Sequence, residues 1–218
     1  MDTRLRDRLG AIRRVSLCLV VGLTGCVSLG RREPPQRYYV LGGDTLRLAA
    51  PPFPDVADVT VGVRRLKLAS YLASSFLVVR RGPNQVGFSE FYRWGEPLGA
   101  GINRVVARSL VARGFRDAAV APWPAQGRYD YLIQLDVARF EGLAPEGPVA
   151  TEGEVHLLAT WEIIRQQDGV VLAQGTTDYR RPNWTVGDYA DLVSMLDEGL
   201  EVLAADVTAG VVGLRGPR

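Results

Sequence analysis

The chain has 218 residues, a formal net charge of +2 and a hydrophobic fraction of 47%. Residues 1–25 alone hold five arginines and two aspartates, so the rest of the chain is close to neutral. This length is enough to bury a sizeable core, and the lack of a basic excess argues against nucleic acid as a partner.

The N-terminal segment is organised like a secretion signal that ends at a cysteine. Its arginines precede an apolar stretch over residues 15–23, about nine residues long, whereas a bilayer span needs about 20. The small residues Thr24 and Gly25 stand before Cys26, and together they resemble the lipobox of bacterial lipoproteins. The resemblance implies cleavage after residue 25 and acylation of Cys26, whose acyl chains would hold the protein stably at a leaflet. Val27, in place of an aspartate after the cysteine, resembles the pattern of lipoproteins sent to the outer membrane.

We therefore expect three parts: a signal peptide over residues 1–25, an acylated cysteine with a flexible tether over residues 26–36, and a single domain over residues 37–214. Cys18 would leave with the signal peptide and Cys26 would carry the lipid. The domain then has no thiol for a disulfide, a thiolate metal site or a nucleophile. Two prolines and three charges in the tether disfavour a packed element there.

Strands come first in the domain, and a helix follows them. Aromatic, β-branched and alternating patterns predict strands over residues 37–41, 59–68, 76–80 and 85–89. The sequence Gly82-Pro83-Asn84 predicts a tight turn that joins the last two as a hairpin. From Leu98 to residue 111 the apolar residues recur with a helical period, and Gly114 is expected to end that helix.

The second half of the domain is richer in strands and ends in a helix. Strands are predicted over residues 118–121, 129–140, 154–166 and 170–180, and a helix from about residue 186 onward. Two helices cannot cover both faces of a sheet of six or seven strands. We therefore expect an α+β fold, a largely antiparallel sheet with two main helices packed on one face. The other face is then exposed to solvent, or it is covered by a partner subunit or a ligand.

Groups that could carry catalysis or bind a metal are scarce. The only histidine, His156, falls in a predicted strand in phase with Glu154, which predicts a surface position on the polar face. The sequence has no metal-ligand spacing around it and no G-x-S-x-G nucleophile turn. We predict that the protein is not an enzyme and binds no cofactor or metal.

The densest aromatic segment covers residues 88–98 and allows two interpretations. Its large side chains pack in the core under the first helix, with a proline near the helix start, or they form a contact surface for a partner, because aromatics and arginine are enriched at interface hot spots. The candidate contact residues are Phe91, Arg93, Trp94, Glu96 and Pro97.

Several short motifs, taken in chain order, resemble one family. They are Y-Y-V-L at residues 38–41, V-G-V-R-R-L at 61–66, S-Y-L at 70–72, V-V-R-R-G-P-N-Q-V at 78–86, F-Y-R-W-G-E-P-L at 91–98, D-Y-L at 130–132 and the strand around Trp161. In this order they resemble the PqiC family, the auxiliary lipoproteins of ABC-type and MCE-type transport systems. The element R-W-x-E-P-L is the most specific of them. Residues 70–75 depart from the family pattern, which usually has a proline before the Tyr-Leu pair and an acidic residue after it.

The resemblance implies a lipid-anchored, non-enzymatic protein on the periplasmic face of the outer membrane. It implies that the protein works with an MCE-domain protein to move lipids or other hydrophobic compounds between membranes, and that it contributes to membrane integrity. It also allows a homo-oligomer. Two other functions stay open: a periplasmic, chaperone-like module that holds a lipid in a groove between sheet and helix, and an anchored hydrolase.

Overall fold

The computed structural model describes residues 34–43, 53–124, 127–147 and 151–216. The predicted signal peptide, Cys26 and most of the predicted tether lie outside the described residues. From Gln36 onward the chain forms a single compact unit.

The described chain contains nine strands, two α-helices and two short 3-10 turns. The turns cover Pro54–Val56 and Ser70–Ala73, and the helices are α1 (Leu98–Ala112) and α2 (Tyr189–Leu214). The strands are β1 (Arg37–Tyr39), β2 (Thr60–Val63), β3 (Lys67–Leu68), β4 (Phe76–Arg81), β5 (Gln85–Trp94), β6 (Asp117–Val120), β7 (Tyr131–Ala144), β8 (Glu152–Arg165) and β9 (Val171–Thr185).

Strand β7 is the centre of the sheet, because neighbours pair along both of its edges. On one edge it pairs antiparallel with β8, which in turn pairs antiparallel with β9. On the other edge β2, β3 and β4 pair with it one after another, all of them parallel. The sheet then continues from β2 to β6 and from β4 through β5 to β1.

The α+β class with two helices is confirmed, whereas the sheet differs from the prediction. It has nine strands and is mixed, where we expected six or seven strands in a largely antiparallel arrangement. The predicted strand over residues 59–68 is divided into β2 and β3, and both pair parallel with β7. Side-chain periodicity identifies a strand but carries no information about its partner, which is why the parallel pairings were missed.

Both helices pack on the same face of the sheet. In α2, Gly199 faces Tyr179 and Gly210 faces Trp161, so closely that a β-carbon would lie 2.8 Å from either ring. Helix α1 lies beside α2, where Ser109 Oγ donates to Glu201 Oε1 at 2.5 Å. The side chains between helices and sheet form one continuous core.

Local sequence explains where the helices begin and end. The side chain of Asp188 caps α2 by accepting hydrogen bonds from the amides of Ala190 and Asp191, at 3.1 and 3.0 Å. Helix α1 begins directly after Pro97 and is followed by Gly114, whose φ of 109° is unfavourable for other residues. Helix α1 therefore begins and ends where the sequence predicted, and α2 begins close to its predicted start at about residue 186.

Candidate functional site

Neither helix covers the opposite face of the sheet, which we call the open face. Strand register places alternate side chains of β4, β7, β8 and β9 on this face. They include a group of charged residues that is partly buried, which we call the charged cluster: Arg80, Arg139, Glu141, His156, Asp178 and Arg180.

Glu141 is the centre of the charged cluster, and its side chain is 0% exposed. Its Oε1 accepts hydrogen bonds from Arg80 Nε at 2.6 Å and from Arg139 Nη1 at 3.1 Å. A buried carboxylate is costly unless it is paired, and here two guanidinium groups compensate it. These contacts join β4 to β7 on the open face.

Tyr71, from the second 3-10 turn, packs against the same arginine. The guanidinium carbon of Arg80 lies 5.5 Å from the centre of the Tyr71 ring, a cation–π distance. The Tyr71 hydroxyl donates to the carbonyl oxygen of Ala138 at 3.1 Å, and burial raises the pKa of Tyr71. The S-Y-L motif therefore attaches its turn to β4 and β7, although the residues around it depart from the family pattern.

His156 lies on the open face, but the prediction of a surface position was wrong, because the residue is only 3% exposed. In the strand register it lies between Glu141 of β7 and Arg180 of β9. Its Nε2 is 2.8 Å from Asp178 Oδ1, and Asp178 also contacts Arg180 Nε at 3.4 Å. Burial, with a further contribution from the positive charge of Arg180, lowers the pKa of His156 although Asp178 opposes the shift. The imidazole is therefore neutral near pH 7 and acts as a link between β8 and β9.

The aromatic segment of the sequence is divided between the two faces of the sheet. Trp94 is 6% exposed and packs in the core, with its ring centre 6.0 Å from that of Phe140. Its neighbour Arg93 lies on the open face, where its guanidinium carbon is 4.3 Å from the centre of the Phe76 ring. Phe91, on the same strand, is half-buried.

The other two candidate residues belong to the start of α1. Glu96 forms an ion pair with Arg104, which also donates to the carbonyl oxygen of Leu41 at 3.0 Å. Pro97 is exposed and directly precedes the helix. The five candidates therefore comprise a core residue, an open-face residue, the half-buried Phe91 and two residues of a helix start. Cys26, the predicted lipidation site, lies outside the described residues.

A cavity of about 300 Å³ lies between the two helices and the segment after β1, and acidic side chains line it. Asp197 Oδ1 accepts a hydrogen bond from the Gly42 amide at 2.9 Å. Burial raises the pKa of Asp197, whereas the Gly42 amide and Arg104 oppose the shift. Glu198 and Glu201 line the same cavity. Three carboxyl groups make this cavity a poor place for an apolar ligand.

The described residues form neither a metal site nor a membrane-spanning helix. Over residues 34–43, 53–124, 127–147 and 151–216, no three His, Cys, Asp or Glu side chains gather in a way that could hold a metal ion. In the same part of the chain, no helix combines the length and the apolar character needed to cross a membrane.

Comparison with known proteins identifies the family of this domain. Residues 39–208 match the family model described as ABC-type transport auxiliary lipoprotein component. The chain belongs to this family. The resemblance predicted from the motifs is therefore confirmed, and the described domain, from β1 to the last turns of α2, is the family's domain.

Two solved structures share the fold of this domain. The auxiliary lipoprotein aligns with protein XCC0632 from Xanthomonas campestris, of family DUF330, with a TM-score of 0.66, 18% identity and coverage of 82% of this chain and 97% of that chain. It aligns equally widely with a second, uncharacterized protein, with a TM-score of 0.63, 17% identity and coverage of 82% and 99%. The PelC dodecamer from Paraburkholderia phytofirmans aligns with a TM-score of only 0.39, at 18% identity, over 67% of this chain and 87% of that chain. No curated protein matches.

The charged cluster is the part of the auxiliary lipoprotein that sequence reasoning missed. Arg80 and Glu141 are 61 positions apart, and His156 and Asp178 are 22 apart. A partial signal was present, because Arg80, His156 and Asp178 occupy positions in predicted strands, whereas Glu141 lies one residue past the predicted strand over 129–140. Such a charge usually points to solvent, and only the pairing of β4, β7, β8 and β9 brings these residues together.

Proposed function

We propose that this auxiliary lipoprotein is a non-enzymatic, lipid-anchored component on the periplasmic face of the outer membrane. In this proposal it docks an envelope-spanning conduit, built from an MCE-domain protein, to that membrane. The conduit moves lipids or other hydrophobic compounds, so loss of the protein weakens membrane integrity. The observation that carries the proposal is the family match over residues 39–208.

Two features of the chain support an anchored role. The lipobox-like sequence before Cys26 predicts an acyl anchor. About ten residues separate Cys26 from the compact unit, which permits a distance of up to about 33 Å between the bilayer and the domain. A domain on such a short tether stays close to the membrane and meets partners that approach it.

The open face supports a docking role. Its more exposed charges, Arg139, Asp178 and Arg180, are held in place by ion pairs, and charges held in place favour specific recognition of a partner with complementary charge. The lipid-holding alternative has one observation of its own, an open and mainly apolar groove between α1 and β6 that Ala107, Val111 and Val120 help to line. The cavity between the helices suits a lipid poorly, because carboxyl groups line it. Nothing in the geometry of His156 favours the hydrolase.

The docking proposal is tested by cross-linking the tagged full chain in its native bacterium and purifying it in detergent. We expect an MCE-domain protein to be recovered with it, and we expect recovery to fall for a Cys26→Ser variant expressed at the same level. Recovery of the acylated, membrane-bound chain without any MCE-domain protein would contradict the docking role.

The anchor is tested separately by the same variant. We expect Cys26→Ser to leave the domain folded but soluble in the periplasm, because the acyl chains are its predicted membrane attachment. Membrane fractionation and mass spectrometry of the N-terminal peptide provide the measurement. A wild-type chain without acyl groups, or a variant that remains in the membrane fraction, would contradict the anchor.

A further inference from the structure

Four side chains form a continuous row at one end of the open face, which we call the aromatic stripe: Tyr38, Phe76, Phe88 and Arg93. The rings of Phe76 and Phe88 meet edge to face, with centres 6.1 Å apart. Arg93 covers the Phe76 ring at 4.3 Å, and Tyr38 is its neighbour in the register of β1 and β5. The stripe therefore crosses three adjacent strands.

The two ends of the stripe are open to solvent. Tyr38 is 62% exposed and Phe88 is 48% exposed. Aromatic rings are usually buried more deeply, and exposed ones placed together indicate a contact surface. The core does not explain their position, because the core lies on the other side of the sheet.

The stripe also carries positive charge without an internal partner. Among the ion pairs of the described residues, none includes Arg93. Within the described residues, the side chain of Arg93 donates one hydrogen bond, to the Ser75 hydroxyl at 3.4 Å. A guanidinium group beside an aromatic ring is well suited to a phosphate group, which it can bind through two hydrogen bonds.

The position of the stripe in the chain indicates its occupant. Tyr38 lies twelve positions after Cys26, so the tether enters the domain at the stripe itself. Of the nine strands, β1 is the nearest to Cys26 along the chain, so the tether keeps it within reach of the bilayer. Tyrosine is enriched at the membrane–water interface, where its ring lies among the headgroups and its hydroxyl stays hydrated.

We propose that the aromatic stripe is a second membrane contact, which lies on the phospholipid headgroups beside the acyl anchor. The inference rests on the anchor of the proposed function and adds the orientation of the domain. Tyr38 and Phe88 enter the interface, Arg93 binds a lipid phosphate, and the β1 edge of the sheet is the part of the domain nearest the bilayer. The charged cluster, on the central strands of the same face, stays available to the protein partner.

The first experiment measures the depth of one residue in the membrane. With Cys18 removed and Cys26 acylated, a cysteine introduced at residue 88 is the only free thiol, so Phe88→Cys can carry an environment-sensitive fluorophore. Val202→Cys is the matched control, because Val202 is exposed on α2, across the sheet. The acylated proteins are placed in vesicles of phosphatidylethanolamine and phosphatidylglycerol with brominated acyl chains.

We expect the brominated chains to quench the probe at residue 88 at least threefold more than the probe at residue 202. Equal or absent quenching in acylated, vesicle-bound protein overturns the proposal. A probe at residue 88 that is shielded only when more copies of the chain or a protein partner are added also overturns it, because the stripe is then a protein interface.

The second experiment removes the anchor and tests the stripe alone. The full chain with Cys26→Ser is sedimented with vesicles of the same lipids without bromine. We expect weak binding, reduced on the order of tenfold by each of Tyr38→Ser and Phe88→Ser because each removes exposed apolar area from the contact, and unchanged by Val202→Ser. Equal binding by all four proteins overturns the proposal. If the anchor fails, mass spectrometry shows it, and if MCE docking fails, the purification experiment shows it. The sedimentation result depends on neither, because the Cys26→Ser chain carries no acyl anchor.

Discussion

Replacement of Trp94 by alanine distinguishes the two interpretations of the aromatic segment. The side chain is 6% exposed and packs against Phe140 between the sheet and the helices. Removal of the indole leaves a large cavity that the surrounding strands cannot close.

The structure gives the size of the expected effect. A tryptophan this deeply buried removes about 200–250 Å² from water, which corresponds to about 5–6 kcal/mol as an upper bound. Measured replacements of core tryptophans by alanine cost about 3–5 kcal/mol. We expect Trp94→Ala to lower the free energy of unfolding by about 4 kcal/mol, which is a large part of the stability of a domain of this size.

The measurement is urea unfolding of the full chain with Cys26→Ser, followed by far-UV circular dichroism because tryptophan fluorescence itself changes in the variant. Phe88→Ala is the matched control: its ring is about half exposed, and we expect a loss of about 1 kcal/mol or less. A loss below about 1 kcal/mol for Trp94→Ala, together with reduced recovery of the partner protein, would refute the core assignment and favour a partner contact.

Three further predictions concern the charged cluster and the core. Glu141→Ala leaves two arginines without their buried carboxylate, and we expect a loss of about 3–5 kcal/mol in urea unfolding; a loss below about 1 kcal/mol would show that the arginines reach solvent. Because burial lowers the pKa of His156 in the folded state, the unfolded chain binds a proton more readily as pH falls through about 6.5. We therefore expect the free energy of unfolding to fall between pH 7.5 and 5.5, less steeply in His156→Gln. Urea unfolding at both pH values measures it, and an equal fall in the two proteins would contradict this. Gly142→Ala would place a β-carbon 2.6 Å from Trp184 Cζ3, so we expect a loss of about 1–3 kcal/mol; Gly43→Ala, which meets nothing within 4 Å, is the control, and equal thermal melting of the two variants would contradict the close packing.

The elements of the fold were largely predictable because periodicity is a local property. The helix after Pro97 and the final helix were both indicated by a period near 3.6, and the first hairpin by Gly82, which has a φ of 69°. Strand β5 extends to Trp94, further than predicted. Its aromatic second half was interpreted as core or as a partner contact, with no strand predicted there, and pairing with β1 and β4 makes it a strand.

The candidate site was less predictable, because it depends on which strands are neighbours. Residues 91–97 were grouped because they are close in sequence, yet Arg93 and Trp94 point to opposite faces of the sheet. The aromatic stripe requires β1, β4 and β5 to be adjacent, and Tyr38 is 55 positions from Arg93. No local pattern contains that information.

The sequence alone determined the lipobox-like segment before Cys26, the α+β composition, the two helices and the family, since each depends on neighbouring residues or on short motifs in a fixed order. Only the tertiary structure decided that the sheet is mixed, that His156 is buried and that Glu141 is held between two arginines. The physical reason is that strand pairing is non-local: a charge at an alternate position is solvated on an isolated strand, and it becomes buried only when the partner strand brings another side chain beside it.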